Sequence, residues 1–185
     1  MYEYFYGTIK EIYSSYVVLE VNDIAYQIFL IRNSELSINS KIKIYIYNFV
    51  SDSLNVLFGF YTPLEKNIFA NLLKVKNIGV KSAYVILNKV NVDLLLTAIY
   101  QDNDEFLLKL PKVNKNNIDN LKKSLRKEAE RNVKVDVLNS ELFILLKNFD
   151  YQLGDILKVI PMIDKNNPVN VQLKEAINYL DNKEG

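Results

Sequence analysis

Residues 71–87 read Asn-Leu-Leu-Lys-Val-Lys-Asn-Ile-Gly-Val-Lys-Ser-Ala-Tyr-Val-Ile-Leu. An apolar helical run stops at a tight turn, Asn77-Ile78-Gly79-Val80-Lys81, and a second helical run starts at once. Glycine lets a backbone turn sharply and approach a ligand closely. The amides that open a helix point outward and favour an anion. Lys81 adds a positive charge beside them. This is the physics of a helix–hairpin–helix, a clamp on one nucleic-acid phosphate that does not read sequence. An ordinary two-helix hairpin with a C-terminal glycine cap has the same local pattern.

A second stretch repeats the plan. Leu107-Leu108-Lys109-Leu110-Pro111-Lys112-Val113-Asn114-Lys115 parallels Leu72-Leu73-Lys74-Val75-Lys76-Asn77-Ile78-Gly79-Val80. Each has an apolar pair, a lysine, another apolar residue, and then a polar turn around one aliphatic, Ile78 or Val113. A helical pattern follows in each, over 82–87 and 117–125. The second copy lacks glycine, and Lys112 and Asn114 stand at its turn. Asn tolerates a left-handed conformation and Lys does so less well, so the second hairpin is either deformed or held in shape by packing. Paired hairpins grip two phosphates and follow a backbone. The candidate DNA-binding residues are Asn77, Ile78, Gly79, Val80 and Lys81 in the first turn. Lys112, Val113, Asn114 and Lys115 in the second turn and Lys122 on the following helix complete the set.

Charge is segregated in the same sense. Residues 1–63 carry 4 basic and 6 acidic side chains, residues 64–131 carry 13 and 8, and residues 132–185 carry 6 and 8. A basic middle between mildly acidic ends is an electrostatic footprint for a polyanion, and a solvated helical face has the same composition. The chain of 185 residues, 49% hydrophobic, fits one ordinary domain or two to three small ones. It has no Cys and no His, which excludes thiol chemistry, most zinc sites and any His-based triad. No apolar run approaches the ~20 residues needed to span a membrane, and no signal peptide is evident, so the expectation is a cytoplasmic protein with no membrane partner. Frequent Asn, Lys, Ile and Tyr suggest an AT-rich genome.

The N-terminal third reads as strands. Residues 2–9, 16–21, 24–30, 41–47 and 55–60 are β-rich, and Lys41 to Tyr47 alternates strictly. Val21-Asn22-Asp23-Ile24 is a tight hairpin signal. Five short strands predict a small closed barrel of the OB type. Thr62 and Pro63 then form an N-cap and first helical residue. At the other end, Lys127 to Leu138 reads as a helix tail and linker, and Ser140 caps an apolar run. Helical spacing continues over 153–160 and 171–180. Three short helices bury only a small core, and such bundles bind partners through exposed apolar residues; plain packing explains the same pattern. Leu142, Leu145, Ile156 and Leu173 are the candidate partner-binding residues.

The chain resembles the RuvA family. The resemblance rests on Gly7-x-Ile9, on Val18-Leu19-Glu20-Val21 with Tyr26 after it, and chiefly on two linked runs. These are Leu57-Phe58-Gly59-Phe60-x-Thr62-x-x-Glu65-x-x-x-Phe69-x-x-Leu72-Leu73 and Ile78-Gly79-Val80-Lys81-x-Ala83-x-x-Ile86-Leu87. It implies a multidomain protein of mixed α and β structure. The layout would be an OB-type barrel over 1–62, a tandem helix–hairpin–helix domain over 63–130, a linker over 131–138 and a three-helix motor-binding domain over 139–185. It implies a homotetramer, or an octamer, holding a four-way (Holliday) DNA junction open for branch migration in recombination and repair. A RuvB-type hexameric ATPase is the implied motor and a RuvC-type resolvase a further partner. No G-x-x-x-x-G-K-[ST] run is present, so this chain is expected to be a non-catalytic subunit without a cofactor.

Two departures stand out. The family's second hairpin resembles Pro-Gly-Ile-Gly-Lys-Lys, where this chain has Pro111-Lys112-Val113-Asn114-Lys115-Asn116. The family also carries two adjacent acids on a barrel loop, an acidic pin at the junction centre; Ser51-Asp52-Ser53 offers only Asp52. A general duplex-binding module with reduced junction selectivity is the alternative function. Asp102, Asp104 and Glu105 are the acids on which a Mg²⁺-dependent enzyme would rest, and a solvated helix N-terminus explains them better. A helix–hairpin–helix glycosylase is disfavoured because the barrel precedes the hairpins and the chain is short.

Overall fold

The computed structural model describes residues 2–32, 36–52, 54–133, 140–164 and 167–181. Alternating apolar and polar residues build five strands: β1 (Tyr4–Ile12), β2 (Val17–Val21), β3 (Ile24–Leu30), β4 (Lys41–Ser51) and β5 (Leu54–Phe60). They close into a barrel in the order β1-β2-β3-β5-β4, with β1 pairing back onto β4. All pairings are antiparallel except β3 with β5. One face of each strand points inward, so Phe5, Ile9, Val17, Leu19, Ile28, Leu30, Ile44 and Ile46 form one core. Gly59 is required there, because a Cβ at that position would lie 2.6 Å from Ile28 Cγ2 and 2.8 Å from Ile44 Cγ2. Asn22 and Asp23 are both left-handed, at φ 50° and 63°, as a two-residue hairpin turn with right-handed strand twist demands.

The helices that follow are α1 (Pro63–Leu72), α2 (Val80–Lys89), α3 (Val92–Tyr100), the single turn α4 (Asp104–Leu107) and α5 (Ile118–Asn132). Thr62 caps α1 with Pro63 in its first turn, as the sequence predicts, and Glu65 completes a capping box. Glu65 has a second task. It is buried, its Oε2 accepts from the backbone N–H groups of Tyr61 and Thr62, and its Oε1 pairs with the Arg32 guanidinium. Arg32, left-handed at φ 48° just after β3, also donates from Nη1 to Leu87 O and from its backbone N to Asn88 Oδ1. One arginine therefore ties the barrel to the start of α1 and the end of α2. Phe69 on α1 packs its ring 5.0 Å from Phe58 and 5.1 Å from Phe60. Tyr84 on α2 donates its hydroxyl to the barrel carbonyls of Ser15 and Leu30, and burial raises its pKa.

Residues 1–129 form one compact unit and residues 130–185 a second. Within the first unit Arg32 and the aromatic contacts join the barrel to the helices of the hairpin segment. Helix α5 reaches Asn132, into the expected linker, whose residues 134–138 lie outside the described ones. In the second unit α6 (Glu141–Asn148), α7 (Leu153–Val159) with a 3₁₀ turn (Ile160–Met162), and α8 (Val169–Asp181) pack on one another. Ser140 Oγ accepts from Phe143 N and caps α6 as its sequence predicts.

Removing the charge of Glu65 leaves the Arg32 guanidinium without its charged partner. Glu65→Gln is expected to lower stability by about 2 kcal/mol, below the full cost of breaking a buried pair because Arg32 is partly exposed. Urea unfolding measures this, and a midpoint equal to the parent's would contradict the role given to the pair.

Candidate nucleic-acid interface

Three backbone hydrogen bonds of the first turn recur at the matching positions of the second. In the first, Val75 N donates to Leu72 O, Ile78 N to Val75 O and Ala83 N to Gly79 O. In the second, Leu110 N donates to Leu107 O, Val113 N to Leu110 O and Ile118 N to Asn114 O. The aliphatics in each turn are buried: Val75 and Ile78 in one, Leu110 and Val113 in the other. The sequence repeat is therefore a structural repeat, and the glycine-free copy is not deformed.

What differs is which residue bears the strain and where the amides point. The left-handed position is Asn77 in the first turn, at φ 70°, and Lys112 in the second, at φ 62°. Gly79 does not supply the sharp turn, contrary to expectation. It is the N-cap of α2 with extended backbone, φ −91° and ψ 179°, and a Cβ there would meet nothing within 4 Å. Its bareness leaves the helix N-terminus open to approach. Asn114, which the sequence marks as the better left-handed residue, does not take that conformation, and Lys112 does.

Among the described residues no side chain caps α2, which leaves the amides at Gly79, Val80 and Lys81 without a side-chain acceptor beside the exposed Lys81. In the second turn two of the three equivalent amides, those of Asn114 and Asn116, are occupied. Asn114 N donates to Asn117 Oδ1 at 2.8 Å, and Asn116 N donates to Asn114 Oδ1 at 2.9 Å. Asn117 is only 1% exposed. Its Nδ2 donates to Lys112 O at 2.9 Å and, across to the first turn, to Lys76 O at 3.0 Å. One buried carboxamide thus stitches the two turns together. The sequence reading missed Asn117, and its only signal is an Asn placed three residues after another Asn at a helix start.

The remaining expected residues fall into two groups. Val80 is half-buried, while Asn77, Lys112, Asn114 and Lys115 are exposed; among the described residues no ion pair engages Lys81, Lys112 or Lys115. Lys122 is enclosed. Its Nζ lies 2.9 Å from Asp104 and 3.7 Å from Asp102 and Asp119, and its hydrogen bond to Asp104 raises its pKa. Asp102 also pairs with Arg126 at 2.5 Å, and Glu105 pairs with Lys109, which lowers the Glu105 pKa. These acids serve ion pairs, and among the described residues no group of three or more His, Cys, Asp or Glu is placed to hold a metal. Asp52 is exposed at the β4–β5 turn, where pairing runs to Ser51 opposite Leu54; Ser53 lies outside the described residues.

In the second unit Leu142 and Ile156 are core residues, 4% and 0% exposed. Leu145 and Leu173 are half-buried. Among the described residues the large apolar side chains exposed there are Ile144, Phe149, Met162, Val171 and Tyr179.

Comparison with known proteins gives a consistent result. The family model of the RuvA N terminal domain matches residues 1–59. A protein of Anoxybacillus flavithermus is 34% identical over 177 residues, covering 88% of this chain and 90% of its own length. One of Fusobacterium nucleatum is 28% identical over 175 residues, covering 90% of each. One of Lactobacillus acidophilus is 39% identical over 115 residues, 62% of this chain and 59% of its own. Each bears the name Holliday junction branch migration complex subunit RuvA.

Two outcomes are expected of the turns. Lys81→Ala weakens DNA binding and flattens the plot of log K against log salt by about one unit per lost contact; an unchanged slope would remove Lys81 from the interface. Lys112→Gly relieves a left-handed residue with a Cβ and raises stability by about 1 kcal/mol. A urea midpoint that stays put or falls would contradict the strain assigned to Lys112.

Proposed function

The chain belongs to the RuvA family, and we propose that it binds four-way DNA junctions as a structure-specific scaffold for branch migration. The observation that carries this reading is the pair of repeated turns in one compact unit. The first presents free helix-start amides and Lys81 to a phosphate. The second presents Lys112 and Lys115 at a distance set by Asn117. Contacts of this kind follow backbone position and not base identity, as a ligand defined by its shape requires. The partner is a RuvB-type hexameric ATPase, with a RuvC-type resolvase as a further one, and this chain contributes no catalytic step. In a homotetramer four copies of the basic face would meet the four arms, and four Asp52 carboxylates would stand near the crossover. Among the described residues no single helix is long and apolar enough to cross a membrane, in keeping with a DNA-directed role.

The self-capped second turn favours a second reading, a duplex-binding module with reduced junction selectivity. A gel-shift comparison separates the two. The scaffold reading expects a four-way junction to be bound at least tenfold more tightly than linear duplex of the same sequences. Equal affinity would establish the second reading in its place.

The division of labour gives a further expectation. A chain ending at Val133 keeps junction affinity and loses stimulation by the motor, because the exposed Ile144, Phe149 and Met162 belong to the second unit. Lost junction affinity in that shortened chain would contradict the division. Asp52 is tested by charge alone. Carboxylates at the crossover repel phosphates, so Asp52→Asn is expected to bind junctions at least as tightly and to accept linear duplex more readily. A junction-to-duplex ratio equal to the parent's would make Asp52 a plain turn residue.

A further inference from the structure

The barrel has a mouth that the turns do not use. β3 and β5 pair only over Ile28–Leu30 and Leu57–Gly59. Before those residues the two strands are not paired with each other, and a cavity of about 510 Å³ opens at that end. This is the size of a small-molecule site. Its lining combines three aromatic rings, Tyr2, Tyr26 and Phe29, with three carboxamides, Gln27, Asn48 and Asn55. Among the described residues the rest of the lining is aliphatic, and none of it is charged. Asn48 Oδ1 is buried and has no hydrogen-bond partner among the described residues.

Each feature narrows the ligand. A neutral lining does not compensate the lost hydration of a phosphate, carboxylate or ammonium. Carboxamides present a donor and an acceptor side by side, the pattern of a nucleobase edge. Aromatic rings stack on a base whatever its identity. The rings are also supported from behind: Phe5 lies 4.5 Å from Tyr26 and 4.9 Å from Tyr2, centroid to centroid. An orphaned buried acceptor is costly, and an exocyclic amino group or ring N–H of a base would satisfy it. Asn48 and Asn55 both lie on the β4–β5 hairpin that carries Asp52 at its turn, so the mouth adjoins the segment assigned above to the crossover.

We propose that this barrel mouth receives one unpaired nucleobase of the bound DNA. The proposal rests on the reading of the chain as a junction-binding protein. The turns hold phosphates by charge, and the mouth holds a base by stacking and neutral hydrogen bonds, so its contribution is insensitive to salt.

Isotope-labelled full-length protein, titrated with deoxyadenosine and separately with deoxyribose 5-phosphate, tests it by NMR. The side-chain NH₂ signals of Asn48 and Asn55 are expected to shift saturably with deoxyadenosine and to ignore deoxyribose 5-phosphate. Asn48→Leu should weaken that response at least fivefold, and the exposed Gln27→Leu, which carries little folding risk, at least twofold. Silent amides, or a response undiminished in both variants, would overturn the proposal. So would a changed sedimentation coefficient in both variants, which would make the mouth a contact between copies of the chain. Junction binding is followed in parallel by gel shift. Normal junction affinity with silent amides sinks the pocket alone. Responsive amides in a protein that ignores junctions support the pocket and sink the scaffold reading.

Discussion

A single buried carboxamide, that of Asn117, fixes the geometry on which the binding reading depends. Both its Nδ2 hydrogens are used, one on the carbonyl of Lys76 and one on that of Lys112, and its Oδ1 takes the amide of Asn114. The backbones of both turns are thereby referenced to one side chain. A buried polar group satisfied in this way is tolerated in only one arrangement, since any slip leaves a donor or a carbonyl unpaired. Ile78 and Val113 are both buried, but hydrophobic burial is non-directional and does not set the register of the turns. Arg32 and Glu65 act in the same way on a larger scale, holding the barrel against the helices that carry the turns.

The same asparagines that make the second turn rigid change its chemistry. In the first turn a phosphate meets free amides, each worth about 1.5–3 kcal/mol in a charge-assisted bond. In the second, reaching the Asn114 or Asn116 amide means displacing an Asn117 or Asn114 oxygen already bonded to it. That exchange brings little net gain and leaves the Lys115 amide, among the described residues, as the one open donor. Lys112 and Lys115 still attract the backbone, through long-range charge that salt screens. The pair therefore works unequally: the first turn anchors and the second steers. The loss of glycine has not damaged the fold of the second turn, because packing and Asn117 impose the left-handed conformation on Lys112 that propensity alone would refuse.

Much of this was legible in the chain, for physical reasons that can be named. Strict alternation over Lys41–Tyr47 can bury only one face, so it reads as a strand. Asn22-Asp23 reads as a hairpin turn, and Thr62-Pro63 and Ser140 announce helix starts, because each signal is local. The repeat of 72–80 in 107–115 was visible because its apolar positions are shared. The remainder depends on contacts between distant residues. Nothing near Lys122 in sequence, apart from Asp119, reveals that Asp102 and Asp104 enclose it. Glu65 reads as half of a capping box, but its bond to Arg32 spans the barrel-to-helix boundary. Leu142 and Ile144 are equally apolar, and only the packing of α6 on α7 and α8 buries one and exposes the other. Asn117 was the costliest omission. A polar residue at a helix start ordinarily faces water, and its burial follows from the approach of a turn 41 residues away.

The central claim is that the first turn grips phosphate through its backbone and the second does not. Backbone amide NMR of the full-length protein, with and without a four-way junction, addresses it directly. The account predicts large downfield shifts of the Gly79, Val80 and Lys81 amide protons on binding, with the Asn114 and Asn116 amides nearly unmoved because their internal bonds persist. Equal shifts at both turns, or shifts confined to the second, would contradict it.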